Sequence, residues 1–81
     1  MAQIEQLRDK LIKISERADS IKNIHGIVAE TCGISNVYSQ QIRKHKGAKE
    51  NTKKNIDLVN SMINAYRLEI KKAIKRITEA A

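Results

Sequence analysis

From Ile56 to Ile77 an apolar side chain returns at every third or fourth position: Ile56, Val59, Ile63, Tyr66, Ile70, Ala73 and Ile77. That period lays them along one stripe of an α-helix, and Leu58, Met62 and Ile74 widen the stripe. With no proline to break it, the helix is expected over residues 51–79, a rod of about 40 Å. A chain of 81 residues holds one domain, 1–81, with a modest core. A rod this long outruns any short helix pair laid against it. Two covers are open, and both can hold at once. One is a hairpin with the first helix. The other is a dimer seam with a second copy, for which Ile63, Tyr66, Ile70, Ala73 and Ile77 are the candidates.

The first helix is expected from Ile4 to about Ile21. Ile4, Leu7, Leu11, Ile14, Ala18 and Ile21 share its apolar face, and Glu5, Arg8, Asp9, Lys13, Glu16 and Arg17 fall mostly elsewhere. A short second helix follows over Ile24–Cys32, with Asn23 or Ser20 placed to cap it. Gly33 supplies the positive φ that ends it cheaply. Ser35 caps a third helix, Asn36 to about Lys44. Glu, Lys, Gln, Ala and Leu are abundant and alternating β-branched runs are few, so the fold class is all-α.

The segment 23–44 thus reads as a helix, a glycine-led turn and a second helix, the pattern of a helix-turn-helix. Four residues specify that corner. Ala29 is small where two helices cross steeply, Gly33 makes the turn, Ile34 plugs it, and Ile42 points from the third helix into the core. Val28 and Cys32 face inward on the second helix. An ordinary helical corner would use such residues too. The outward face of the third helix is what adds function. Asn36, Ser39, Gln40 and Arg43 share much of one side, with Gln41 and Lys44 at its border. Asn and Gln can pair bidentately with adenine edges and Arg with guanine, so Asn36, Val37, Gln40, Gln41 and Arg43 are candidates for base contact. Ser35 and the neighbouring amides are placed for a phosphate. Lys44, Lys46, Lys49, Lys53 and Lys54 follow closely, opposed only by Glu50, and are phosphate candidates. Lysines in the first turn of the last helix oppose its dipole, which strengthens an anion-contact reading. Lys71, Lys72, Lys75 and Arg76 suit the end of a helix on dipole grounds alone.

Charge and composition narrow the classes. Sixteen Lys and Arg oppose nine Asp and Glu, for a net charge of +7, and such a chain attracts polyanions. Tyr38 and Tyr66 are the only aromatic residues, too few for a single-strand binder built on stacked bases. The lone Cys32 makes no internal disulfide and fits a reducing cytoplasm. No leader or membrane span is expected. His25, Cys32 and His45 lack metal spacing, no carboxylates pair for acid–base work, and no glycine-rich phosphate loop exists. The reading is a non-enzymatic protein with no cofactor and no metal.

The run Gly33-Ile34-Ser35-Asn36-Val37-Tyr38-Ser39-Gln40-Gln41-Ile42 resembles the Cro and lambda repressor-like (XRE-type) helix-turn-helix DNA-binding family. That family often carries Gly-Ile-Ser, two variable residues, then Tyr-Val-Ser-Gln-Ile and a basic or Gly-Lys turn. Gly33, Ile34, Ser35, Tyr38, Gln41 and Ile42 match at the same spacing, and Ala29 falls on the family's small-residue slot. The resemblance spans roughly residues 20–65. It implies that the third helix enters the major groove, that Asn36, Val37, Gln40 and Gln41 face bases, and that Lys44 or Lys46 meets the backbone. Ser39 stands where the family places an apolar, inward residue, whereas the face count has it outward. One long C-terminal helix replaces the family's last two short ones. The leading expectation is a sequence-specific double-stranded DNA-binding protein. It would be a small, dimeric transcriptional regulator of bacterial or phage type, cytoplasmic and nucleoid-associated when bound. The alternative is a helical structural or adaptor protein that binds another protein through its long amphipathic helices. That alternative requires uncovered apolar surface on the distal part of the last helix.

Overall fold

The structure, a computed structural model, describes residues 3–44 and 47–80, with side chains described as far as Ile77. The described residues form four α-helices and no strand: α1, Gln3–Arg17; α2, Ile24–Cys32; α3, Asn36–Arg43; and α4, Lys53–Ala80. The chain is all-α. Its 28-residue last helix packs along α1 and then α2, while α3 sits on α1 and α2. At 1.5 Å per residue α4 is about 42 Å long and α1 about 22 Å, so α4 projects past its partner. The molecule accordingly measures 44 × 24 × 18 Å, with a radius of gyration of 13.0 Å.

The core is one cluster. It holds Ile4, Leu11 and Ala18 from α1 and the turn after it, Ile24 and Val28 from α2, Ile42 from α3, and Val59, Met62, Ile63, Ala65 and Tyr66 from α4. Tyr66 is the largest fully buried side chain. The expected hairpin of the first and last helices is therefore present, and it consumes part of the expected dimer seam. Ile63 and Tyr66 are 3% and 0% exposed against the chain's own helices, so neither is available to a second copy. Ile70 and Ala73 are half-buried, and Ile77 is 71% exposed.

The buried face of α1 is rotated from the expected one. Arg8 and Ser15 are 5% and 4% exposed, in line with Ile4, Leu11 and Ala18, while Leu7 and Ile14 are only half-buried. Steps of four, three, four and three from Ile4 pass through both polar residues. Each is accommodated by a carbonyl: Ser15 Oγ donates to Ile12 O at 2.8 Å, and an Arg8 Nη2 proton goes to Ile42 O at 3.4 Å. Helix α1 also ends earlier than its apolar period suggests. Residues 18–23 are turns, closed by Ile21 N–H to Ala18 O at 2.9 Å. Ala18 is fully buried from within a turn, which is why it mimics a helical position. Asn23 occupies the cap position of α2 at φ 60°, a left-handed conformation that Asn tolerates, but its side chain makes no capping bond.

The start of α4 is tied down twice. Thr52 Oγ1 accepts Asn55 N–H at 3.2 Å, and Asn51 Oδ1 accepts Ile4 N–H at 3.1 Å. Capping of this kind contributes about 1 kcal/mol, and the Asn51 bond fixes the register of α4 against α1. Ala29 is 2% exposed, as its role at a close helix crossing requires. Ala29→Leu should therefore lower stability by about 1–3 kcal/mol through overpacking. Thermal melts with no loss would mean that α2 and α3 do not meet closely at this residue.

Candidate nucleic-acid interface

Helix α3 has eight residues, too few to be stable alone. Its local sequence sets both ends. Ile34 N–H reaches Ala29 O at 3.0 Å and Gly33 N–H reaches Glu30 O at 3.1 Å, the paired bonds of a Schellman turn. Gly33 takes φ 70°, and a Cβ there would meet nothing within 4 Å. Its role is conformational rather than steric. Ser35 then caps α3, accepting Tyr38 N–H at 3.1 Å. At the far end Lys44 N–H bonds Gln40 O at 3.0 Å, and Gly47 N–H bonds Gln41 O at 3.2 Å. Gly47 lies so close that a Cβ would sit 3.2 Å from the Tyr38 ring and 3.3 Å from Ile42. The returning chain thus clasps the inner face of α3.

Three contacts seat the helix. Ile42 is fully buried, worth about 1.5–3 kcal/mol. Arg8 places its cation beside the Ile42 carbonyl, at the negative end of the α3 dipole. Ser39 is also fully buried, and its Oγ has no protein partner. This corrects the outward placement of Ser39: the polar residue lies on the inner face, one turn before Ile42. What remains outward is continuous. Asn36, Gln40, Gln41 and Lys44 are exposed, and Val37 is 64% exposed. No acid occurs on α3.

Arg43 departs from its expected role. It is half-buried, with its Nε enclosed and unpaired. It lines two shallow depressions shared with His25: one of about 610 Å³ with Gly26, Glu30, Asn36 and Gln40, and one of about 260 Å³ with Asp19. It therefore flanks the open face rather than belonging to it. Ser35 is committed to its cap, so its hydroxyl already accepts one bond. Lys44, Lys49, Lys53 and Lys54 are exposed. Lys46 and His45 lie outside the described residues. Of the corner residues, Ile34 is half-buried and Ala29 and Ile42 are buried.

Sequence reasoning missed the polar chain behind this surface. Tyr66 Oη lies 2.8 Å from His25 Nδ1, and His25 Nε2 lies 2.9 Å from Asp19 Oδ1. With the imidazole neutral and its proton on Nε2, the tyrosine donates to the ring and the ring donates to the carboxylate. The His25 and Tyr66 rings also meet edge-on, 5.9 Å apart at 67°. The only sequence signal was a tyrosine on an otherwise apolar stripe, since a buried phenol needs a partner. Cys32 is half-buried, and burial pushes its thiol above the ordinary value, which makes it a poor nucleophile. Among the described residues no three His, Cys, Asp or Glu side chains gather as a metal site. No described helix is long and apolar enough to cross a membrane.

Comparisons with known proteins add no relative: no family model, curated protein or solved structure matches the chain.

Burial raises the Tyr66 hydroxyl above its usual value of 10.0; Arg43 opposes that rise, while Cys32 and Asp19 add to it. Its neutral form is favoured in the folded state, so its contribution is complete below about pH 10 and is lost as pH climbs through the raised value. Tyr66→Phe should cost about 1 kcal/mol at neutral pH, from the lost hydrogen bond, and should blunt the fall in melting temperature above pH 10. Parallel alkaline profiles for the two proteins would show that Tyr66 is not the titrating group.

Proposed function

We propose that this chain binds double-stranded DNA, with α3 entering the major groove. The observation that carries the reading is the open polar face Asn36–Val37–Gln40–Gln41–Lys44 on a helix anchored from behind by Ile42 and Ser39. Carboxamides at positions 36, 40 and 41 offer the donor–acceptor pair that matches an adenine edge, and the Val37 methyls suit a thymine methyl. Lys44, Lys49, Lys53 and Lys54 are exposed and supply charge for phosphates. The position of Lys53 and Lys54 in the first turn of α4, against the dipole, is explained by a polyanion partner. Glu30, in the depression beside Asn36 and Gln40, repels phosphate on that side. It favours an approach in which base edges, rather than backbone, lie nearest α2.

A small bacterial or phage transcriptional regulator, associated with the nucleoid, is the role such an activity suits. Two units on adjacent half-sites would strengthen binding. Ile63 and Tyr66 are consumed by the core, so only the distal candidates Ile70, Ala73 and Ile77 stay open to pairing through the last helix.

Fluorescence titrations with matched genomic and scrambled duplexes across a salt series test the proposal. Gln40→Ala with Gln41→Ala should erase about 1–3 kcal/mol of sequence discrimination per lost bidentate pair. Lys44→Ala with Lys53→Ala should weaken all duplexes alike and lower the salt slope by about two. No binding at low salt would remove the reading.

A further inference from the structure

The distal half of α4 carries a second surface, which the DNA-binding reading does not use and on which this inference does not rest. Where α4 passes the end of α1, a trough of about 540 Å³ opens between them. Ile14, Leu68 and Ile70 give it an apolar lining, and Arg17, Arg67 and Lys71 ring it with positive charge. No carboxylate lines it, and none of these three cations is in an ion pair among the described residues. Leu68 is 51% exposed and Ile77, further along the rod, 71%. The sequence around them stays basic: Arg67, Lys71, Lys72, Lys75 and Arg76 against Glu69 and Glu79.

We infer that this trough docks an acidic amphipathic helix of a partner protein. Its shape selects a convex ridge of apolar side chains, which one helix face provides and a flat bilayer does not. The cations select carboxylates on either side of that ridge. A second copy of this chain fits poorly, because pairing two such segments sets Arg67, Lys71 and Lys75 against their own kind. A phosphate backbone would meet the charge but leave the apolar lining unfilled.

The test uses the full chain and three labelled synthetic peptides. One is a helical Leu–Glu heptad peptide with a leucine stripe flanked by glutamates. A second replaces its glutamates with lysine, and a third replaces its leucines with serine. The Leu–Glu peptide should bind, and either replacement should weaken binding at least about tenfold. Arg17→Glu with Arg67→Glu and Lys71→Glu, all exposed positions, should lose the Leu–Glu peptide and gain the Leu–Lys peptide. Lys49→Glu with Lys53→Glu and Lys54→Glu, which changes net charge equally, should leave both affinities as they were. Equal loss in the two triple variants would reduce the effect to net charge and overturn the inference. So would equal binding of the serine peptide, tighter binding to phosphatidylserine vesicles than to the Leu–Glu peptide, or a self-associated dimer in sedimentation equilibrium that Leu68→Asp dissolves.

Discussion

A helix of two turns has no stability of its own, and the geometry of this molecule follows from how α3 is held. Nucleation cost leaves an isolated eight-residue segment largely unfolded, so its form is imposed by what lies behind it. Ile42 supplies the apolar anchor. Arg8 reaches the Ile42 carbonyl, and Gly47 brings the returning chain against Tyr38 and Ile42. With the inner face fixed by these contacts, the outer face has one composition left to show. Its exposed positions are Asn36, Val37, Gln40, Gln41 and Lys44.

The frame behind α3 is in turn fixed by α4. Tyr66 fills the centre, and its hydroxyl reaches His25 on α2, which holds Asp19 in the turn after α1. Two hydrogen bonds around one ring thus join α4 to α2 and to the turn before it. A side chain with both an apolar body and a polar tip suits that place, since Phe would fill it without orienting His25. Arg43 lines the adjoining depressions beside His25, so the same centre borders the flank of the proposed DNA-facing surface.

Much of this was legible in the sequence, where local chemistry decides the outcome. The end of α2 and the start of α3 follow from Gly33 and Ser35, because a left-handed turn and a cap each demand few residue types. The long last helix follows from its period. Other features depend on tertiary context. Arg8 and Ser15 lie on the buried line of α1, but a polar residue type argues for solvent until a carbonyl is known to wait for it. Ser39 falls outward on a helical-face count, and only the packing of α3 turns it to the inner face. The end of α1 was overrun because Ala18 remains in the core after the helix has stopped. Ile63 and Tyr66 satisfy a dimer seam and an intramolecular core equally well by spacing, and only packing separates the two.

The two proposed surfaces, the outer face of α3 for a duplex and the distal end of α4 for a partner helix, lie on separate parts of the molecule. Amide chemical-shift mapping of the full chain during titration with a duplex tests that division most directly. The largest changes should fall on residues 36–44 and the first turn of α4, with the amides around Arg67 and Lys71 nearly still. Shifts confined to residues 67–77, with α3 unmoved, would contradict it.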